Sequence, residues 1–458
     1  MSSKSTPMIL GAGAALVGLV AAAWLLAEPE PEPNVVLIVL DTVRADHLSA
    51  CGYERDTSPV LKGLQETRDA ELTCGAISPG SWTLPAHASF FTGVMPAEHR
   101  AHSISSGIDD FSGSGNRGRP LDESLPTLAE EFAERGYQTG LFSANPVVSD
   151  AVGLTRGFQD ADIADRFSRY GHTRFVKSID LFLDHRDRSE PQFMVINIAD
   201  AHQPWAVPSP EVDWYRYGQA PTYDTKDPSG EWARFNKGEL EPLMAEVFVR
   251  KATEAYDYGI WLADRNLGYT LGRLEELGYC EERGCRVVIT SDHGELLGEE
   301  GRLDHGHTAH QANTQVPLMV VNLGPDEVIS GLPKPALPEL LSGVVVHDLL
   351  LNGTLPETMP RVEHIAWPHA RRCAKVDGKA FCNVHAALWT DDGQKFTWEE
   401  GQARVVDLTA DPLEKNPTVV QPDPALQALA DIAKAEEWDG SEPDQTVIEM
   451  LTAAGYLD

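Results

Sequence analysis

From Asn34 onward the chain alternates short apolar runs with longer amphipathic stretches, and this alternation predicts its architecture. The runs "VVLIVL" (35–40), "QTGLFS" (138–143), "QFMVINI" (192–198), "RVVIT" (286–290) and "VPLMVV" (316–321) are too short for helices and too continuously apolar for strands with one wet face. They read as strands buried on both sides. Between them lie helical patterns: "PTLAEEFAERG", where Leu128 and Phe132 share a face and Gly136 supplies a stop, and a long one over 246–278. Strands alternating with helices predict an α/β fold, a mostly parallel sheet sandwiched by helices. This main domain is expected over 34–358. After Pro360 the pattern breaks into short mixed pieces: "HAALWTDDGQKFTWEEGQARVVDLTADPLEKNP" has a "DDG" turn between strand-like runs, the mark of a small antiparallel subdomain, 359–418. Residues 419–458 read as a helical, acidic tail.

The chain before Asn34 has another character. "MILGAGAALVGLVAAAWLLA" (8–27) carries no charge and, as a helix, spans about 30 Å, the thickness of a bilayer core. Lys4 precedes it and an acidic run follows, which orients everything beyond it outward. Its length and the poor cleavage site before Glu28 favour a retained transmembrane anchor; a cleaved signal segment, leaving a secreted protein, is the alternative. "EPEPEP" (28–33) then reads as an extended, self-repelling linker.

Composition adds two bounds. With 70 acidic and 37 basic residues the formal net charge is -33, which argues against a nucleic-acid partner, since that requires clustered Lys and Arg. Six cysteines fit an oxidising, extracytoplasmic compartment; short spacings pair Cys280 with Cys285 and Cys373 with Cys382, leaving Cys51 with Cys74, one of fifteen possible pairings. No C-x-x-C pair of a zinc ribbon is present.

Candidate chemistry lies just past the strands, where open α/β sheets bind their ligands. The run 35–40 leads into Asp41, 192–198 into Asp200 and His202, and 286–290 into Asp292 and His293. In "SWTLPAHASFFTG" (81–93) Thr83 stands at a helix start, with Pro85 suited to the first turn. Alone, Asp41 and Asp292 are strand-end caps and Thr83 a helix cap. Together, two carboxylates, an imidazole and a hydroxyl make a metal set in which the cation activates the hydroxyl as nucleophile.

Taken in order, these segments resemble the sulfatases of the alkaline phosphatase superfamily. "NVVLIVLDTVRADHLSACGY" is similar to that family's opening strand and first metal acid, "SWTLPAHASFFTGVMP" to its nucleophile segment, and "ITSDHGELLGEEG" with "LDHGHT" and "TQVPLMVV" to its second metal segment. "ARVVDLTADPLEKNP" resembles its carboxy-terminal subdomain. The likeness runs from Asn34 to about Asn416 and implies a catalytic domain with one divalent metal on Asp41, Thr83, Asp292 and His293. Imidazole in that set favours zinc or manganese over calcium. The D-x-x-x-H spacing that members use for a second metal is absent.

The departures matter as much. Where sulfatases resemble C/S-x-P-x-R, with Cys or Ser oxidised to formylglycine, this chain has Thr83 and, in the arginine's place, His87. The β-methyl of threonine forbids that oxidation. The family's paired first acids are Asp41 and Thr42 here, its usual Asn after the second acid is His293, and a leaving-group Lys is replaced by His305. These changes resemble the phosphoethanolamine and phosphoglycerol transferases and phosphodiesterases. The resemblance thus implies cleavage of an anionic phosphate (di)ester by Thr83, with His305 as leaving-group acid and His202 facing the anion. A sulfate-ester hydrolase without formylglycine and a noncatalytic binding protein are the alternatives. His307, His310, His99 and His102 are expected at the surface or behind the site, and His47 is unassigned.

Overall fold

The computed structural model of the chain describes residues 32–68, 70–104, 117–164, 171–206, 212, 230–306, 308–359, 361–366, 374–376, 379–381, 385–399, 401–422 and 424–436. The anchor reading at 8–27, the linker at 28–31, the Cys373–Cys382 pairing, His307 and the tail beyond Glu436 lie outside these residues. Among the described residues no helix is long and apolar enough to cross a membrane.

Eight strands form the central sheet: β1 (Asn34–Leu40), β2 (Glu71–Ile77), β3 (Gln138–Ser143), β4 (Asp160–Ile163), β5 (Gln192–Ile198), β6 (Cys285–Thr290), β7 (Gln315–Leu323) and β8 (Leu341–Ser342), in the order β8-β2-β7-β6-β1-β5-β3-β4. All neighbours run parallel except β7, which is antiparallel to both β6 and β2. The "VPLMVV" run therefore belongs to the sheet but opposes its direction, because a strand buried on both faces carries the same composition whichever way it points. β2 and β4 escape the sequence pattern, since "ELTCGAI" and "DADI" mix polar with apolar residues and are only partly buried.

Alternate residues of β1 feed two cores, as a period of two requires. Val36, Ile38 and Leu40 meet Phe175, Ile179 and Phe182 of α2 (Gly171–His185) and Ala255, Ile260 and Leu267 of α3 (Pro242–Glu276). Val35, Leu37 and Val39 meet Leu84, Phe90 and Phe91 of α1 (Thr83–Thr92), with Leu128 and Phe132 of the short helix Leu128–Glu134. Thr127 opens that short helix with a capping box to Glu130.

A second, antiparallel sheet contains β9 (Glu363–Ala366), β10 (His385–Trp389), β11 (Gln394–Glu399), β12 (Gln402–Asp407) and β13 (Thr418–Val420) in that order. Leu426 and Leu429 of α4 (Pro424–Glu436) pack on it against Ile365, Ala386 and Trp398. Disulfides join Cys51 to Cys74 and Cys280 to Cys285, as the spacings predict.

Candidate active site

Asp41 follows β1 directly and is fully buried. One of its oxygens accepts from Asn145 Nδ2 at 2.8 Å and Asn197 Nδ2 at 3.0 Å, and the other from the Thr42 hydroxyl at 3.0 Å. Thr42 has φ 66°, left-handed backbone that a β-branched residue rarely adopts. Three bonds hold it there: its N–H donates to Asp292 Oδ1 (3.0 Å), its hydroxyl to Asp41, and its carbonyl accepts from Tyr256 Oη (2.6 Å). The turn so held joins the ends of β1 and β6.

Asp292 and His293 follow β6 and are fully buried. Asp292 Oδ1 accepts from the His293 N–H at 3.0 Å; its Oδ2 lies 3.5 Å from His293 Nε2 and 3.7 Å from His87 Nδ1. His293 Nδ1 donates to the Gly294 carbonyl at 2.9 Å, which leaves Nε2 as the ring's ligating atom. A Cβ on Gly294 would stand 2.1 Å from the Ala312 carbonyl oxygen, so only glycine lets the turn pass there. Asp41, Asp292 and His293 each offer a ligand atom within 4.8 Å of the others.

Thr83 is the first residue of α1, and Trp82 before it caps the helix without a side-chain bond. The capping reading therefore fails: Thr83 Oγ1 accepts from Asn145 Nδ2 at 2.9 Å and lies beside Asp292. One amide thus bridges Asp41 and Thr83. A Cβ on Gly80 would meet the Ala86 nitrogen at 2.7 Å, so glycine allows the turn to fold onto α1. His87, one helical turn on, sets Nδ1 3.0 Å from the Thr83 carbonyl.

His305 lies in the connection between β6 and β7, its ring 4.5 Å from that of His293 and 5.1 Å from that of His202 between centroids. Its Nδ1 stands 3.3 Å from both Glu295 oxygens. The seven residues singled out from the sequence, Asp41, Thr83, His87, His202, Asp292, His293 and His305, come together at the carboxyl edge of one sheet. Asn145, Asn197 and Glu295 were not foreseen as part of it. Asn145 had the same signal as the others, a polar side chain just past a strand; Asn197 is a lone polar residue within an apolar run.

Burial dominates the electrostatics. It raises Asp292 to about 7, with the charge of Asp41 adding to the rise. Burial also pushes Asp41 upward, but His202, His293 and the two asparagine amides outweigh it and hold Asp41 below its ordinary value. Burial lowers His87, His202 and His293, and the charge of Asp41 opposes it in all three, with Asp292 doing so as well in His87. Two buried carboxylates side by side cannot both ionise without a compensating positive charge. Neutral imidazole nitrogens are the form that binds a cation, and Nε2 of both His87 and His293 is buried with no hydrogen-bond partner. The donor set fits a divalent metal.

The Sulfatase family profile matches residues 33–324. This chain belongs to the sulfatase family. An arylsulfatase of Clostridium perfringens is 23% identical to it, with 84% of this chain and 89% of the relative covered. Among solved structures it is similar to the phosphonate monoester hydrolase of Agrobacterium radiobacter (18% identity, 88% of this chain and 93% of the other, TM-score 0.58) and to a 2-O GAG sulfatase (15% identity, 88% and 90%, TM-score 0.59). These likenesses establish the fold. The sulfatase-family chain is an ester-cleaving enzyme of the alkaline phosphatase superfamily, and the family is metal-dependent.

Among the other described histidines of this sulfatase-family chain, His99, His310 and His47 have hydrogen-bond partners away from the metal set. His99 and His102 are buried, not at the surface, with His99 Nε2 2.9 Å from Ser89 Oγ. His310 accepts from the Ala312 N–H, and His47 pairs with Asp257 at 2.7 Å. A cavity of about 990 Å3 opens elsewhere, lined by Val249, Leu297, Arg404 and Glu414 among others; Asp41, Thr83, Asp292 and His293 are not in its wall.

Proposed function

We propose that the protein is a metal-dependent hydrolase or transferase of phosphate (di)esters with Thr83 as nucleophile. The observation that carries this reading is the shared Asn145 amide, which sets the Thr83 hydroxyl beside Asp41, while Asp292 also lies within hydrogen-bonding reach of that hydroxyl. Asp41, Asp292 and His293, with the Thr83 hydroxyl as fourth donor, would hold a divalent cation, which would supply Lewis acidity beside that hydroxyl. Imidazole in the set favours zinc or manganese over calcium.

The Thr83 hydroxyl gives up its proton to solvent as its oxygen attacks phosphorus, the bond from phosphorus to the ester oxygen breaks, and that oxygen leaves with a proton from the His305 imidazole. Thr83 stands in the first turn of α1, whose unbonded amides favour an anion there. His202 and His87 face the phosphoryl oxygens. Water or an acceptor hydroxyl then gives its proton back to His305 and attacks phosphorus, the bond to the Thr83 oxygen breaks, and that oxygen takes up a proton from solvent, which regenerates Thr83. The catalytic domain spans 34–358, with 359–418 as its subdomain. Two disulfides and the apolar segment at 8–27 support a location outside the cytoplasm, on a membrane anchor.

A second reading, sulfate-ester hydrolysis by unmodified Thr83, draws on the likeness to an arylsulfatase over 84% of this chain. Assaying the purified protein on bis-p-nitrophenyl phosphate and p-nitrophenyl sulfate, before and after chelation, separates the two. The phosphate diester is expected to be the better substrate, and chelation to abolish turnover. A preference for the sulfate would make the second reading the right one.

A further inference from the structure

Lys395 of β11 is fully buried, an expensive place for a lysine. Its Nζ donates to the Ala309 carbonyl at 2.6 Å and to Glu414 Oε2 at 2.6 Å, above the Trp389 ring. The other oxygen of Glu414 accepts from the Gln311 N–H at 2.6 Å, and Glu414 has a left-handed φ of 51°. Ala309 itself packs among Ile77, Ala387 and Trp389. One lysine and one glutamate of the antiparallel sheet region thus hold two backbone groups of the connection that carries His305. A buried ion pair adds little net stability over an apolar pair of similar volume. What this pair supplies and an apolar one cannot is a fixed bond to each of those backbone groups.

We propose that Lys395 and Glu414 are positioning residues that fix the segment 303–311 so that His305 is held against His293 and His202. The kinetic part of this proposal rests on the reading of His305 as leaving-group acid; the positional part does not. The test uses the full-length protein with Lys395→Met, Glu414→Gln and, as control, His305→Ala. Hydrogen exchange over 303–314 is expected to quicken on the order of tenfold in Lys395→Met, with β1 and β6 unchanged. Glu414→Gln, which keeps an acceptor for Gln311, shows the same change to a smaller degree and decides the matter if Lys395→Met does not fold.

Kinetically, Lys395→Met loses on the order of tenfold more rate on a phenyl phosphodiester than on its p-nitrophenyl counterpart, because only the poor leaving group needs the acid. A change that merely reduced the folded fraction would lower both alike. Unchanged exchange over 303–314 in both variants overturns the positioning role. So do equal losses on the two esters in Lys395→Met when His305→Ala distinguishes them. Should His305→Ala itself treat both esters alike, the acid assignment fails, and the exchange data alone decide for or against the clamp.

Discussion

Asp41, Asp292 and His293 stand one to three residues past β1 and β6, whose side chains are buried throughout, whereas His305 stands midway along the connection 291–314. The first group takes its position from ladders on both sides: β1 pairs with β5 and β6 along its length. His305 has no ladder. Its segment is fastened from the antiparallel sheet region, through Lys395 and Glu414, while the turn before Thr83 is touched from β9, where His364 Nδ1 donates to the Ser78 carbonyl at 2.9 Å. A group one peptide beyond a strand inherits the rigidity of the sheet. One deep in a loop has to be held by contacts distant in sequence.

The sharpest test of the sheet-borne half is Thr83→Ala. It should lower kcat/KM by roughly a thousandfold or more, as loss of an activated nucleophile does, while the melting temperature stays within a few degrees. Normal turnover on bis-p-nitrophenyl phosphate would reduce Thr83 to scaffolding.

The contact from β9 is open to a pH test. Burial lowers His364 to about 4 from 6.5, so the folded state binds its proton less readily than the unfolded chain. The stability it contributes is whole above pH 6.5 and is lost as pH falls from 6.5 towards 4, at most about 3 kcal/mol. Denaturant unfolding at pH 7.5 and 4.5 should show His364→Phe losing less stability across that interval than the parent. Equal losses would mean that His364 takes no part in acid unfolding.

Asn145→Ala sharpens the comparison from within the rim. It removes the amide shared by Asp41 and Thr83 and should cost about 10–100-fold in metal affinity or rate, the range for groups that orient ligands. Titration of the metal and steady-state kinetics measure it. The smallest effect belongs far from both halves: Glu246→Gln breaks an exposed i,i+4 pair with Arg250 on α3 and should shift stability by about 0.5 kcal/mol or less in chemical denaturation.

Much of the rim was legible because buried parallel strands announce themselves and the residue after each is a natural ligand position. The helix-start threonine gained meaning only from its companions. Asn145 was missed although it stands two residues past β3 as Asp292 stands two past β6, because an amide carries no distinctive motif. Lys395 was invisible for a physical reason. In "GQKFTWE" it alternates with Phe396 as a solvent-facing residue would, and it is enclosed by Ala309 from a distant segment and by Trp389, its register partner on β10. The direction of β7 was equally hidden, since register and polarity are decided by the neighbours a strand meets.

That reversed strand has a consequence for the chain between β6 and β7. Thr290 pairs with Leu318 and Cys285 with Leu323, so the polypeptide leaves the sheet and re-enters it on the same shore. A parallel successor would have sent the connection back across the molecule after a few residues. By doubling back instead, the fold lets one connection contribute Asp292, His293, Glu295 and His305 to a single cluster, and insertions in that connection can change the surroundings of the cluster without disturbing the strands beneath.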